Sequence, residues 1–419
     1  MSKLIITGGK PLQGTVRVSG AKNAALPILA ATLLTKEKCI LRNIPDVADV
    51  HLLLKILQLI GAQFTFQKNT VVIQTPKILT TKIPFELASK MRASILLLGP
   101  LLLRAGQVEL AFPGGCVIGK RQVHVHVHAL TQFGAQNLST STTLKFRLRK
   151  FRAANFTLPE MSVTATENAL LLAAGLPQAS QIQLPAREPH VQNLGKFLQK
   201  MGAKITQPNL TTLKIQGQQN LKGANFKITA DYLEAGTLAL AAILTRGRVL
   251  IKNFETAQLE IFWQKLRDIG AKFNLTPNSV EILPNKMLRA TEIKTAVFPG
   301  FPTDLQAPFA VLLTQTRGKS RIFETLFEGR LNYLFELEKM GAQLEMLNPQ
   351  QAVIFGGHCL RAASVTSCDL RAGAAIVLAA LAARGTSEVT NIEYIERGYE
   401  NFAQKLQKLG AAIQLVAGN

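Results

Sequence analysis

One phrase occurs six times along this chain and leaves few folds open to it: a leucine, three further residues, then Gly-Ala. The copies end at Gly61-Ala62, Gly134-Ala135, Gly202-Ala203, Gly270-Ala271, Gly341-Ala342 and Gly410-Ala411, led by Leu57, Leu130, Leu198, Leu266, Leu337 and Leu406. Successive glycines lie 73, 68, 68, 71 and 69 residues apart. Each phrase closes a stretch of helical periodicity and opens a short strand-like run. Each glycine is therefore expected just past a helix end, in the left-handed conformation that costs glycine little.

The other half of each unit repeats too, as an Ala- and Leu-rich helix followed by a β-branched strand. Examples are Ala24 to Leu34 with Cys39 to Arg42, Ala235 to Thr245 with Arg248 to Ile251, and Gly373 to Ala383 with Ser387 to Thr390. These first helices are apolar on nearly every face, which predicts burial with sheets around them. The second helices, such as Leu194 to Met201 and Phe402 to Leu409, are polar on one side. Six units of about 70 residues are too few and too large for a solenoid, and strand–helix alternation points to α/β architecture. Two domains of three units each is the economical arrangement for 419 residues.

The net charge is +22, from 48 Lys and Arg against 26 Asp and Glu. Such a balance raises nucleic acid as a partner. The cations are dispersed, however, and the densest cluster, Lys145 to Arg152, alternates at strand spacing, as a solvated sheet face would. Nucleic acid is therefore disfavoured. No apolar run has the length of a lone membrane span and the N-terminus lacks a signal-peptide pattern, so a cytoplasmic chain without a membrane partner is expected. Four cysteines without a CxxC pair argue against a disulfide framework and a structural zinc site.

Pro113 to Arg121 combines three glycines, Cys116 and the cations Lys120 and Arg121. It reads either as a hinged catalytic loop whose cysteine is activated by nearby positive charge, or as a Gly-rich turn around a half-buried cysteine. His124, His126 and His128 alternate as strand-borne metal ligands would. The repeat instead places them at a helix start, where only His124 and His128 are neighbours, and a metal is not expected. Taken alone, Asp304 reads as a cap or turn residue before the helix Leu305 to Leu313, and Arg371 as a partner of a helix-start Asp369.

Seven motifs stand in order from end to end: Ser19-Gly-Ala-Lys22-Asn23-Ala-Ala25, Met91-Arg92-Ala-Ser94, Pro113-Gly-Gly-Cys116 with Arg121, Ala186-Arg-Glu-Pro189, Phe301-Pro-Thr-Asp304-Leu-Gln-Ala307, Asp369-Leu-Arg371-Ala372 and Arg397-Gly-Tyr-Glu400. Together they resemble the UDP-N-acetylglucosamine 1-carboxyvinyltransferases of the enolpyruvyl transferase family. The resemblance implies two inside-out α/β barrels, each of three βαβαββ-type units with threefold pseudo-symmetry. It implies one domain from residues 1–21 and 230–419, an inserted domain from 22–229, and an active site in the cleft between them. The implied reaction moves the enolpyruvyl group of phosphoenolpyruvate to the 3′-hydroxyl of UDP-N-acetylglucosamine and releases phosphate, with no metal or organic cofactor.

In that resemblance Cys116 is the loop acid and Asp304 the base. Lys22, Arg121 and Arg397 contact phosphate, and Arg330, Asp369 and Arg371 are further active-site positions. Asn23, Arg92, the segment Arg121-Gln122-Val123-His124-Val125, Ser162, Val163 and Leu326 hold the uridine nucleotide. The chain departs from the family's pattern at Gln122 to His126, where an aspartate is lost, and at Tyr232, His190 and Glu160. It departs again at Gly329, which is expected to loosen the backbone that aims Arg330. Two other readings stay open: enolpyruvyl transfer to shikimate 3-phosphate, and a paralogue that binds nucleotide sugar or nucleic acid without turnover.

Overall fold

The computed structural model describes residues 2–114, 123–148 and 150–417. All six repeat glycines have positive φ, between 85° and 120°. In every copy the alanine N–H reaches back to the leucine carbonyl, as from Ala62 to Leu57 at 2.9 Å and from Ala342 to Leu337 at 3.0 Å. The glycine N–H bonds the carbonyl three residues back, as from Gly202 to Gln199 at 3.1 Å. The repeated phrase is thus a Schellman cap, which satisfies the last helical carbonyls and turns the chain into the next strand.

The chain falls into two compact units, residues 2–19 with 230–417 and residues 20–114 with 123–229. Among the described residues each holds three four-stranded sheets of one pattern. In one repeat the strand Asn155–Thr157 lies parallel to Ala179–Gln183, which is antiparallel to Thr212–Gln216, itself antiparallel to Lys204–Asn209. The helix Val163–Ala174 joins the parallel pair, and the helix Pro189–Lys200 leads to the hairpin.

Strands remote in sequence complete the sheets. Lys3–Thr7 lies between Thr386–Thr390 and Ala412–Val416, and Gln13–Arg17 runs parallel to Arg248–Lys252. In the other unit Asn225–Lys227 closes onto Cys39–Arg42. The apolar helices are the interior, as their composition requires. Every residue of Tyr232–Leu244 and Gln306–Thr314 is buried, as is Leu370–Ala382 up to Leu381, and these three helices pack on one another. Along Thr143–Arg147, Leu144 and Phe146 point inward while Lys145 and Arg147 are exposed, the alternation expected of a solvated sheet face. No helix among the described residues is long and apolar enough to cross a membrane.

Candidate functional site

The motif around Asp304 forms a single 3₁₀ turn, Thr303–Leu305, that runs into the buried helix Gln306–Thr314. Its carboxylate does not cap that helix. Oδ1 accepts from Arg330 Nη2 at 2.7 Å, and Oδ2 accepts from Arg371 Nε at 3.0 Å. The arginine side chains are 5% and 3% exposed, against 25% for Asp304. Burial pushes the Asp304 pKa up, but the two guanidiniums outweigh it and hold the carboxyl well below the usual carboxylate range.

Each arginine is aimed by further contacts. Arg330 Nη1 donates to Thr303 Oγ1 at 2.8 Å, and its guanidinium lies 5.4 Å from the centre of the Phe327 ring. Thr303 donates in turn to the buried carboxylate of Glu324 at 2.8 Å. Glu324 also accepts the Thr295 hydroxyl at 3.0 Å and the N–H groups of Leu326 and Phe327 at 2.9 and 3.3 Å. It thereby pins the segment that carries Leu326 and Arg330.

Arg371 is the second residue of its helix, where Asp369 caps the N–H groups of Arg371 and Ala372 at 2.8 and 3.0 Å. Its guanidinium sits 4.9 Å above the Tyr399 ring, whose hydroxyl meets Thr237 Oγ1 at 2.9 Å. Arg371 Nη1 is buried with no hydrogen-bond partner among the described residues. Buried donors are normally satisfied. This one, next to an ionised carboxylate, suits an anionic oxygen supplied by a ligand.

The other unit builds a second cluster. Lys22 opens the helix Lys22–Ala31, and its Nζ meets Asp49 Oδ2 at 3.1 Å in a nearly buried pair. Arg92 opens the 3₁₀ segment Arg92–Leu97, which runs into the helix Leu98–Ala105. Asn168, on the helix Val163–Ala174, clamps that junction by donating to the Ile95 carbonyl at 2.9 Å and accepting the Gly99 N–H at 3.2 Å.

Asn168 Nδ2 also lies 3.0 Å from His126 Nδ1, and His126 Nε2 lies 3.0 Å from Thr164 Oγ1. Burial, with Arg92 and His124 nearby, lowers the His126 pKa to about 3. The ring is therefore neutral, with Nδ1 accepting from Asn168 and Nε2–H donating to Thr164. Ser162 caps the helix through the Ala165 N–H at 3.4 Å. His126, Thr164 and Asn168 thus tie together the elements that bear Arg92, His124, Val125, Ser162 and Val163.

Of the residues expected at a site, Cys116, Arg121 and Gln122 lie outside the described residues. Just before them, a Cβ on Gly114 would fall 1.7 Å from the Ser89 carbonyl oxygen. That glycine is required by a close backbone crossing. Val125 is 1% exposed in the core, so only its main chain could meet a ligand. Val123 and Asn23 are half-buried, His124 and Leu326 exposed, and Arg397 half-buried after the short helix Glu393–Glu396.

Next to Gly329, Arg330 is held through its side chain by Asp304, Thr303 and Phe327. Two of the three histidines behave as structural groups: His126 is bonded as above and His128 bonds the Thr157 carbonyl at 3.2 Å. Asp49, Glu324, Asn168 and Thr237 were missed by sequence reasoning, and His126 was weighed only as a metal ligand. Only Glu324 carried a signal. It follows its inner strand where three other repeats have Asn43, Asn253 and Asn391 at positive φ, so a carboxylate there breaks the pattern.

This architecture is shared by solved enolpyruvyl transferases. The crystal structure of the enolpyruvyl transferase NikO from Streptomyces tendae matches with a TM-score of 0.90 and 23% identity over 100% of this chain and 99% of that one. EPSP synthase from Acinetobacter baumannii matches with a TM-score of 0.76 and 15% identity, each chain covered fully. In sequence, residues 6–406 match the family described as EPSP synthase (3-phosphoshikimate 1-carboxyvinyltransferase).

Among curated relatives, proteins named UDP-N-acetylglucosamine 1-carboxyvinyltransferase align almost end to end. That of Methylacidiphilum infernorum is 40% identical over 419 residues, 99% of each chain. That of Oleidesulfovibrio alaskensis is 42% identical over 417 residues, 99% of this chain and 100% of the relative. That of Coxiella burnetii is 42% identical over 426 residues, 100% of this chain and 97% of the relative. The chain belongs to the enolpyruvyl transferase family, on the branch of the UDP-N-acetylglucosamine 1-carboxyvinyltransferases.

Proposed function

We propose that the chain transfers the enolpyruvyl group of phosphoenolpyruvate to the 3′-hydroxyl of UDP-N-acetylglucosamine, with release of phosphate. This is the first committed step of peptidoglycan synthesis, and through it serves cell shape and division from the cytoplasm. The observation that carries the reading is full-length identity of 40–42% to relatives bearing that name. The buried, unpartnered Nη1 of Arg371 supports it, because an anionic substrate supplies the acceptor that position lacks.

In this reading the 3′-oxygen bonds to the central carbon of phosphoenolpyruvate while the methylene carbon takes a proton from Cys116. The tetrahedral intermediate then gives a proton of the new methyl group back to the Cys116 thiolate as the carbon–oxygen bond to phosphate breaks and the carbon–carbon double bond re-forms. Lys22, Arg121, Arg371 and Arg397 meet the phosphate and carboxylate, and Arg330 holds Asp304. Asn23, Arg92, Gln122 to Val125, Ser162, Val163, Leu326 and the main chain near Asp369 serve the nucleotide sugar.

Asp304 accepts the hydroxyl proton. Free of ligand, it is too strongly paired with Arg330 and Arg371 to be a good base. An anion that draws Arg371 toward itself weakens that pairing and raises the proton affinity of Asp304 when substrate is present.

Phosphate release with both substrates tests the reading. Release no greater than in a no-enzyme control refutes it, and release only with shikimate 3-phosphate assigns the sister reaction.

A further inference from the structure

Seven residues before each Schellman glycine, the six repeats carry Leu54, Val127, Gly195, Trp263, Leu334 and Ala403. Leu54, Trp263 and Leu334 are at most 1% exposed, and Val127 packs against the core from a half-buried position. The position therefore faces the seam between each outer helix and its sheet. Glycine in a helix interior destabilises it relative to any side chain that fits, and here a side chain does fit: a Cβ on Gly195 would meet nothing within 4 Å.

What the missing side chain leaves is a pocket of about 190 Å³, half open to solvent, between the helix Pro189–Lys200 and the strands Lys204–Asn209 and Thr212–Gln216. Leu170, Val191, Ile205 and Leu213 supply apolar walls, while Arg187 and Lys196 supply two positive charges. No carboxylate is among the lining side chains. The Arg187 guanidinium is fixed there, donating to the Leu210 carbonyl at 2.7 Å and to Gln207 Oε1 at 3.0 Å. A cavity of about 150 Å³ holds a benzene ring, so this pocket has room for a ring-sized body against its apolar wall, with the two cations at its polar side for an attached anion.

The wall is also connected to Ser162. The Ala186 N–H donates to Thr166 Oγ1 at 2.9 Å, and that hydroxyl donates to the Ser162 carbonyl at 2.8 Å. A ligand that shifts Ala186 therefore pulls on the residue that caps the helix Val163–Ala174.

We infer that the gap at Gly195 is a binding slot for a small carboxylate or phosphate ester with an apolar body of ring size, and that its occupancy adjusts affinity for the nucleotide sugar through Ala186, Thr166 and Ser162. The adjustment rests on the proposed role of Ser162, whereas the binding does not.

Phenyl phosphate is the probe, titrated by ligand-observed NMR with UDP-N-acetylglucosamine and inorganic phosphate saturating so that the reaction site is filled. The wild-type chain is expected to bind it. Gly195→Leu, which restores the kind of side chain the other repeats carry, is expected to weaken binding about tenfold or more, about 1.4 kcal/mol. Without probe, that variant keeps the wild-type rate of phosphate release and melts at a higher temperature.

No binding by the wild-type chain, or equal binding by the two chains, overturns the slot. Benzyl alcohol binding as tightly as phenyl phosphate overturns the anion assignment. The probe is expected to shift the KM for UDP-N-acetylglucosamine in the wild type alone, and an equal shift in Gly195→Leu overturns the coupling. Failure of the transferase reading would show separately, as absent phosphate release before any probe is added.

Discussion

Asp304→Asn keeps the volume of the side chain and removes the one charge that Arg330 and Arg371 share. Both guanidiniums are almost out of water, at 5% and 3% exposure, so neither can turn to solvent for a new partner. Breaking a buried ion pair by deleting one partner costs about 3–5 kcal/mol. With 25% of the Asp304 side chain exposed, part of that is screened, and about 2–3 kcal/mol is the expected loss.

The sign with pH follows from the depressed pKa. The stabilisation is fully present above the unfolded carboxyl's value of about 4 and is lost only as pH falls through the folded value, so the deficit is constant between about pH 5 and 8. Denaturant unfolding at two such pH values measures it, and saturating inorganic phosphate, an anion for the orphaned arginines, is expected to recover part of it. Turnover of the variant is expected to fall by about 10²-fold or more while UDP-N-acetylglucosamine still binds. A stability change within about 0.5 kcal/mol would refute the ion-pair account, and near wild-type turnover would remove Asp304 from the base role.

Three other perturbations separate parts of the structure. Gly341→Ala adds a Cβ in open space at φ +85°, so only the left-handed backbone penalty of about 1–2 kcal/mol applies, whereas at Gly61, φ +120°, the Cβ would also meet the Lys77 carbonyl oxygen at 2.4 Å. Gly61→Ala should therefore be clearly the less stable of the two, and equal melting temperatures would contradict the packing. His126 titrates at about 3 when folded and about 6.5 when unfolded. Over that interval the unfolded chain binds the extra proton, so stability falls with decreasing pH by up to about 1.4 kcal/mol per unit. His126→Gln should flatten that slope in acid denaturation, and an unchanged slope would mean the ring is not held neutral. Fosfomycin, an electrophilic epoxide, is expected to alkylate an activated loop thiol and so add its mass at Cys116. An unmodified Cys116 peptide from protein that keeps full activity would count against a reactive thiol.

What could be read from the chain alone is what short stretches specify by themselves. A Schellman cap is made by six consecutive residues, so Leu57 to Ala62 and its five relatives announced every outer helix end and the strand after it. The buried helices were legible because no face of Tyr232–Leu244 or Leu370–Ala382 is polar enough to stay in water. The positions of Asp304, Arg371 and Lys22 came from motifs, and the tertiary structure decided what each one touches. Asp304 meets partners 26 and 67 residues away, Lys22 finds Asp49 on another helix, and Lys3–Thr7 completes a sheet whose other strands begin beyond residue 363. Charges carry no periodicity that marks a partner, and an edge strand accepts any neighbour of suitable pattern. Those choices are made only when packing brings distant segments within the reach of a hydrogen bond.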